Sequence, residues 1–388
     1  MQRSRFLIAL LVLAVPSGDG RGAEPKAIQA AAKTKTRNVF LVTSDGLRWQ
    51  EVFGGADLAL TNKENGGVAD PAVLTKEFGG DTPEIRRKLL MPFVWDVIAK
   101  KGQLFGDARA GSDVKVTNGK NFSYPGYNEI FTGAADPQID SNDKIPNRNV
   151  TVLEWLNGRD EFRGRVAAFG SWDVFPYILN QSRSKLPVVA GWEPLTGGGR
   201  TGEESMIGRL LTEMPRLWPD CCYDCFTFHA AFLYLKRQRP RILYIGLGET
   251  DEFAHAGQYD QYLRSAHRVD DYLRRLWETA QSLPDYRDTT TLVVTADHGR
   301  GNAPLEWKSH GDKIPGSERI WIAVIGPDTP GLGNRIKHEP LTQSQLAATI
   351  AALLGLDYRA FAPKAAPPIK DVLPGSATDH LGRMKDEG

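Results

Sequence analysis

Short apolar runs, each closed by turn residues, recur along the chain and predict buried strands. They are "NVFLVTSDG" (38–46), "RILYIGLGETD" (241–251), "TLVVTADHG" (291–299) and "RIWIAVIGP" (319–327). Each run is continuous rather than alternating, which is typical of a strand covered on both faces. A further run, "RVAAFG" (165–170), predicts another strand.

Helical patterns lie between these runs. The segment "YDQYLRSAHRVDDYLRRLWETA" (259–280) keeps its apolar residues near one face, which predicts an amphipathic helix. A second segment, "LTQSQLAATIAALLG", predicts a helix with Thr342 as N-cap and Gly355 as its stop. Strands that alternate with helices imply a mostly parallel sheet. We therefore predict an α/β fold, a three-layer α/β/α sandwich with a mostly parallel central sheet and an inserted cap segment.

The N-terminal residues have the pattern of a targeting segment. Arg3 and Arg5 precede the apolar run "FLIALLVLAV" (6–15), and small and polar residues follow it. This pattern predicts a signal peptide over residues 1–23 and a periplasmic or secreted mature protein, with a retained N-terminal anchor as the alternative.

The remaining boundaries follow from the strand and helix patterns. We predict a linker over 24–37, a catalytic domain over 38–360 and a C-terminal tail over 361–388. The strand and helix pattern is hard to interpret from about residue 136 to residue 239, and we assign the predicted cap insertion to this stretch.

Charge and cysteine content narrow the function classes. The 48 basic and 47 acidic residues leave a net charge of +1, and no basic run stands out, which argues against a nucleic-acid-binding surface. Cys221, Cys222 and Cys225 are the three cysteines. Two of them could form a local disulfide in an oxidising compartment. A zinc site made from the cluster alone is disfavoured, because no second ligand pair accompanies it.

Acidic and imidazole side chains follow the predicted strands, at the sheet edge where open α/β sheets bind their ligands. Three aspartates and three histidines provide enough oxygen and nitrogen ligands for two divalent ions, and this ligand mixture suits zinc. The six residues are Asp45, Asp251, His255, Asp297, His298 and His310.

Ser123, in "NFSYPGYNEIFTG", precedes what the sequence predicts to be a helix. Its hydroxyl is either a helix cap or a nucleophile. Two divalent ions carry four positive charges, of which three carboxylates offset three and a serine alkoxide would offset the fourth. Ser123 could thus complete the ligand shell of one ion, and the helix N-terminus would favour the alkoxide.

The order of these motifs resembles that of a known superfamily. "TSDGLRW", "NFSYPGYNEIFTG", "GETDEFAH", "TADHGRG" and "SHGD" are similar to motifs of the alkaline phosphatase superfamily, most of all its type I phosphodiesterase/nucleotide pyrophosphatase and phosphoglyceromutase-like branches. The resemblance implies an α/β sandwich and two zinc ions. One ion would be held by Asp45, Ser123, Asp297 and His298, and the other by Asp251, His255 and His310.

The resemblance also implies an activity on a small-molecule phosphate ester. A phosphoryl or nucleotidyl group would pass to Ser123 and then to water, most simply in a phosphodiesterase or nucleotide pyrophosphatase. The alternatives are a phosphomonoesterase, a mutase-like enzyme and a non-catalytic metal-binding protein of the same fold. A serine nucleophile favours the phosphatases and mutases, because the phosphodiesterase branch usually has threonine. A sulfatase is disfavoured, because Tyr127 stands where the formylglycine motif requires arginine.

Several further residues are candidates for contacts with the substrate. Asn142 is the nearest match to the branch's asparagine that binds a phosphoryl oxygen. Lys120 is either a phosphate contact or a solvated loop residue. Trp172 either lines a pocket for a nucleoside or aryl group or packs in the core. Glu249 and Glu252 flank Asp251 as possible acceptors for ligating histidines.

Overall fold

The computed structural model describes residues 33–193 and 201–375. An eight-stranded sheet and a two-stranded sheet are found in these residues. The strands are β1 (Asn38–Ser44), β2 (Gln103–Phe105), β3 (Ser112–Lys115), β4 (Val166–Gly170), β5 (Val188–Ala190), β6 (Ile242–Leu247), β7 (Thr290–Thr295), β8 (Ile322–Ile325), β9 (Gly333–Asn334) and β10 (His338–Thr342).

The larger sheet has the strand order β5-β4-β6-β1-β7-β8-β2-β9. The first five strands in this order, β5, β4, β6, β1 and β7, are parallel to one another. In contrast, β8 runs antiparallel to both β7 and β2. In the smaller sheet, β10 pairs in parallel with β3. The larger sheet is therefore mostly parallel, as the sequence predicts.

Helices connect the strands and lie on both sides of the sheet. They are α1 (Trp49–Gly54), α2 (Lys63–Gly66), α3 (Pro71–Phe78), α4 (Pro83–Leu90), α5 (Ala99–Lys101), α6 (Ser123–Thr132), α7 (Val152–Asn157), α8 (Phe175–Ile178), α9 (Gln181–Ser184), α10 (Gly202–Glu213), α11 (Asp224–Gln238), α12 (Glu249–His255), α13 (Tyr259–Ser282) and α14 (Gln345–Leu353). A π-helical turn at Val94–Ile98 precedes α5, and single 3₁₀ turns include Glu306–Lys308.

The three central strands β1, β6 and β7 are buried along their whole length. Their β-branched and leucine side chains suit a strand that helices cover on both faces. Because these strands are parallel, their carboxyl ends meet at one edge of the sheet. The turn after β1, the helix after β6 and the turn after β7 are thereby brought together.

Most of the predicted elements are confirmed, with one correction. The long amphipathic helix is α13, and every predicted strand is present. Thr342 does not cap α14, because it ends β10 and the N-cap position belongs to Ser344. The strand predicted in 319–327 is β8, which runs antiparallel to β7, a direction that an apolar run by itself does not encode.

The domain boundaries remain predictions, but the structure adds detail to them. The predicted signal peptide lies outside the described residues. Residues 136–239, assigned to the cap insertion, also supply β4 and β5 of the main sheet. The described part of the predicted tail packs on the fold, since Ala365, Ile369 and Val372 are buried. The packed chain thus extends past the predicted boundary at residue 360.

The cysteine cluster lies before and inside the start of α11. All three cysteines are free, and Cys221 and Cys222 are buried, so the structure does not contain the local disulfide that the sequence allows. Within 33–193 and 201–375, none of the helices combines the length and the apolar character of a membrane span.

Candidate metal centre

The first group of possible metal ligands follows the neighbouring strands β1 and β7. Asp45 comes directly after β1, and Asp297 and His298 follow β7 by two and three residues. Their ligand atoms all lie within 4.8 Å of one another. His298 Nε2 is 3.2 Å from Asp45 Oδ1 and 3.5 Å from Asp297 Oδ2. All three side chains are buried.

The second group lies on α12 and on the loop after the Glu306–Lys308 turn. Asp251 and His255 are one helical turn apart on α12, with 3.2 Å between Asp251 Oδ2 and His255 Nε2. His310 Nε2 is 3.0 Å from His255 Nε2. The imidazoles of His298 and His310 stack with 3.9 Å between ring centres, so the two groups are adjacent. This is the grouping that the family resemblance implies.

Backbone carbonyls orient two of the imidazoles. His298 Nδ1 lies 2.9 Å from the carbonyl oxygen of Gly299, and His310 Nδ1 lies 3.1 Å from that of Asn121. With Nδ1–H donated to a carbonyl, the lone pair of Nε2 faces the other ligands. Metal-binding histidines in proteins are commonly held in this way.

The carboxylates of the first group are buried and form no ion pair with an arginine or lysine among the described residues. Burial, together with the charge of Asp251, raises the pKa of Asp45 well above its usual value. Burial, together with the charge of Asp45, does the same to the pKa of Asp297. Asp45 Oδ1 and Asp297 Oδ2 have no hydrogen-bond partner among the described residues. The site therefore fits a divalent cation, which these two oxygens and His298 Nε2 are placed to ligate.

The second group differs because a positively charged side chain, that of Arg300, already contacts one of its members. Arg300, two residues after His298, is fully buried and contacts Asp251 Oδ1 through Nη2. Burial opposes the ionisation of Asp251, but Arg300 and a hydrogen bond from His255 bring its pKa well below the usual value. Burial, together with the neighbouring imidazole of His298, lowers the pKa of His310 to about 2, which keeps the His310 imidazole neutral and able to ligate.

Ser123 lies at the first position of α6, beside the first group. Its Oγ is 3.3 Å from His298 Nε2. The N-cap position of α6 belongs to Phe122, and no side chain caps this helix end. Asn121 has a φ of +55°, a left-handed conformation that asparagine tolerates. Ser123 therefore faces the metal ligands and does not act as a helix cap.

Two hydroxyl groups that the sequence analysis did not single out hold Asp45 in place. Tyr127 OH donates to Asp45 Oδ2 at 2.9 Å, and Thr250 Oγ1 donates to the carbonyl oxygen of Asp45. Tyr127 lies one helical turn after Ser123 in the same motif. The four-residue spacing was the available signal for Tyr127, because it places both side chains on one face of α6. For Arg300, the signal was a cation inside "TADHGRG".

A cleft of about 420 Å³ opens onto Ser123 and the second group. Asn142 and Trp172 line it. Asn142 Oδ1 accepts a hydrogen bond of 3.0 Å from the backbone N–H of Tyr124, which follows the nucleophile candidate. Trp172 Nε1 donates to Asp220 Oδ2 at 3.3 Å. The other charged residues of the wall away from the metal ligands are Asp143, Lys144, Asp220 and Glu252.

Two of the weaker candidates are placed elsewhere. Lys120 is on the loop before Ser123, and the described residues that line the cleft do not include it. Glu249 does not serve a ligating histidine, because Arg268 and Ser265 donate to its Oε2. Glu252 does line the cleft, where burial and the charge of Asp251 raise its pKa to about 8.

The chain is similar to a known family and to one curated protein. The family profile described as Sulfatase matches residues 125–356. GPI ethanolamine phosphate transferase 1 of Emericella nidulans is 31% identical over 120 residues, which cover 25% of this chain and 12% of that protein. The chain thus spans a small part of this curated relative.

Solved structures of low sequence identity share the fold. The wild-type alkaline phosphatase PafA superposes with a TM-score of 0.56 at 11% identity, covering 89% of this chain and 100% of that one. The lipoteichoic acid synthase LtaP from Listeria monocytogenes superposes with a TM-score of 0.53 at 12% identity, covering 83% of this chain and 72% of that one.

Proposed function

Because the chain belongs to the sulfatase family, within the alkaline phosphatase superfamily, we propose that it is a metal-dependent phosphodiesterase with Ser123 as its nucleophile. The observation that carries this proposal is the position of Ser123 Oγ, which lines the cleft and lies 3.3 Å from His298 Nε2. We further propose that the mature protein is periplasmic or secreted, on the basis of its N-terminal sequence.

The proposed cofactors are two zinc ions. Asp45, Asp297 and His298 would hold one of them together with Ser123, and Asp251, His255 and His310 would hold the other. When bound, divalent ions of this kind lower the pKa of a coordinated hydroxyl and offset negative charge on phosphoryl oxygens.

The chain's own residues position and stabilise the nucleophile. Tyr127 and Thr250 fix Asp45, and the N-terminus of α6 favours negative charge on Ser123 Oγ. The oxygen of Ser123 attacks phosphorus, and the bond from phosphorus to one alcohol oxygen breaks, so that an alcohol leaves. Water then attacks the phosphoseryl ester, which releases a phosphate monoester and restores the serine hydroxyl.

Charge around the cleft favours a diester over a monoester. Asp143 and Asp220 line the wall, and the one lysine among the described residues that line it, Lys144, already pairs with Asp173 at 2.7 Å. A monoester dianion would be repelled more strongly by this wall than a diester monoanion. Arg300 also adds one positive charge beside the metal ligands, which the single charge of a diester offsets.

Transfer to an alcohol instead of water is the second candidate. The curated relative is named as a transferase of ethanolamine phosphate, and LtaP is named as a synthase of lipoteichoic acid. Both names describe activities of those proteins. The chemistry at Ser123 would be the same in this chain, because an acceptor alcohol would replace water only in the second step.

The test is kcat/KM of the zinc-loaded protein on p-nitrophenyl phosphate, bis-p-nitrophenyl phosphate and p-nitrophenyl sulfate. We expect the diester to be preferred about 10-fold or more, equivalent to about 1.4 kcal/mol in the barrier. Ser123→Ala should lower the diester rate by roughly 10³-fold, because the covalent step is lost. The exposed Ser282→Ala variant is the matched control.

Other outcomes identify the alternatives. A preference for the monoester would make the protein a phosphomonoesterase, and a preference for the sulfate would make it a sulfatase despite Tyr127. Phosphoryl transfer to added ethanolamine or glycerol, faster than hydrolysis, would establish the transferase. Zinc binding without turnover of any ester would support a non-catalytic protein.

A further inference from the structure

Arg300 is a buried cation inside a site suited to binding cations. It is fully buried on the turn after β7, two residues from His298. Its Nη2 donates to both Asp251 Oδ1 and the Asp251 carbonyl oxygen, the latter at 3.1 Å. Its Nη1 donates to the carbonyl oxygen of Lys308 at 2.8 Å. One side chain thus links the β7 turn, α12 and the segment leading to His310.

The Arg300 guanidinium contacts one of the two carboxylate oxygens of Asp251 and leaves the other available. Oδ1 takes the contact with Arg300, whereas Oδ2 lies 3.2 Å from His255 Nε2. Asp251 Oδ1 also lies 3.7 Å from both His298 Nε2 and His310 Nε2, between the two ligand groups. Without Arg300, either oxygen of Asp251 would be free to turn toward either group. With Arg300 in place, Oδ2 is the oxygen left for a metal ion.

Gly46 provides the space for this arrangement. A Cβ at Gly46 would lie 2.7 Å from Arg300 Nε and 2.8 Å from Asp251 Oδ1. These distances are so short that the two side chains would have to move. Gly46 also has a φ of +58°, and its N–H donates to Asp297 Oδ1 at 3.1 Å. The turn that carries Asp45 is therefore packed directly against the pair formed by Arg300 and Asp251.

Burying a cation beside a metal site costs free energy, which points to a specific role for Arg300. A buried guanidinium loses its hydration, and its charge repels any divalent ion nearby. Arg300 Nε has no hydrogen-bond partner among the described residues, so hydrogen bonding offsets the burial only in part. The contacts that remain are directed at Asp251 and at the Lys308 carbonyl, close to His310.

We propose that Arg300 is a positioning residue that fixes Asp251 as a one-oxygen ligand of the ion held with His255 and His310. The inference rests on the proposed two-metal function. It concerns only the second group, so Asp45, Asp297 and His298 should bind their ion with or without Arg300.

The experiment measures zinc affinity by competition with a chromophoric chelator and zinc stoichiometry by native mass spectrometry. In Arg300→Met we expect the zinc held with Asp251, His255 and His310 to lose affinity about 10 to 100-fold, the usual effect of removing a group that orients a ligand. The other zinc should keep its affinity within about 3-fold. Arg300→Lys should recover part of the loss, because an ammonium reaches one oxygen but not both.

A further variant separates positioning from general damage to the fold. Arg274→Met removes an exposed arginine that pairs with Asp271 and Glu278, and should change neither affinity. Circular dichroism and a melting curve show whether each variant folds, and Arg300→Lys provides the measurement if Arg300→Met does not.

Three results would overturn the inference. If each of the two zinc affinities is the same in Arg300→Met as in the wild type, Arg300 has only a structural role. Tighter zinc binding in Arg300→Met would show that its main effect is repulsion. Binding of one zinc by the wild type would remove the second site altogether. Two bound zinc ions without hydrolysis of any ester would instead refute the proposed function, while the affinities would still decide the role of Arg300.

Discussion

The Asp297 side chain is completely buried, and no described group donates a hydrogen bond to its Oδ2. Its pKa in the folded protein is raised by burial and by Asp45, well above the value of about 3.9 expected in an unfolded chain. The folded state therefore binds a proton more tightly than the unfolded state. The corresponding stability is fully present below about pH 4 and is lost as pH rises through the raised pKa.

At residue scale we predict that Asp297→Asn stabilises the metal-free protein while it abolishes activity. At pH 8 the free energy of unfolding should rise by about 1–3 kcal/mol, because a buried and unpaired charge is removed. Near pH 4 the gain should largely vanish. Urea unfolding in a chelator at both pH values measures it, with the exposed Asp285→Asn as control. A loss of stability at pH 8 would mean that the carboxylate is paired in the metal-free protein.

Sequence reasoning succeeded at this scale where a residue type and its neighbours indicated the chemistry. Asp45, Asp297 and His298 follow buried strands, and their positions at the sheet edge come from that simple fact. It left two alternatives for Lys120, because proximity in the chain to Ser123 does not fix the direction of a loop side chain. It also missed Arg300, since a buried arginine looks like a surface arginine in a sequence.

At the scale of single elements, α6 determines where the nucleophile lies. The helix packs so closely on the β7 turn that a Cβ at Gly126 would lie 2.3 Å from the carbonyl oxygen of Asp297. Gly126 is buried within the first turn of α6. The absence of a side chain at this position allows Ser123 Oγ to approach His298 Nε2.

We predict that Gly126→Ala separates α6 from the metal ligands. The helix must shift, so kcat/KM on the preferred ester should fall by about 10²-fold or more, the scale expected for a misplacement of about 1 Å. Stability should fall by about 1–3 kcal/mol from overpacking. Gly202→Ala is the matched control, because Gly202 begins α10 and an added Cβ there meets nothing within 4 Å. Unchanged turnover in Gly126→Ala would contradict the role given to this contact.

A helix or strand could be predicted from the sequence when the pattern that specifies it lies within its own residues. The period of α13 is carried by its own residues, and the prediction from Tyr259 onward is confirmed. The start of α14 was wrong because residues 338–342 pair with β3, a contact over more than 200 positions of sequence. The sequence pattern also does not specify the antiparallel direction of β8, since this direction depends on pairing with β7 and β2.

For the whole molecule, the ligand groups link the sheet, α12 and the loop of His310, so metal binding should stabilise the entire fold. We predict that zinc at about 100 times its dissociation constant raises the free energy of unfolding by about 2.7 kcal/mol for each independent site. Melting curves with and without chelator measure this effect. His255→Ala removes the most exposed ligand and should abolish only part of the gain. Equal melting temperatures with zinc and with chelator would contradict a site in the folded chain.

Local sequence pattern was enough to predict the α/β class, most strands and helices, and the residues able to ligate metal ions. These follow from hydrophobic period, from residue chemistry and from the rule that parallel strands bring their carboxyl ends to one edge. The folded chain was needed to show that Ser123 faces His298 instead of capping α6, that Glu249 pairs with Arg268, and that Arg300 is buried against Asp251. Each of these contacts joins side chains that are distant in sequence or turn away from their neighbours, and packing in three dimensions, not local pattern, sets their partners.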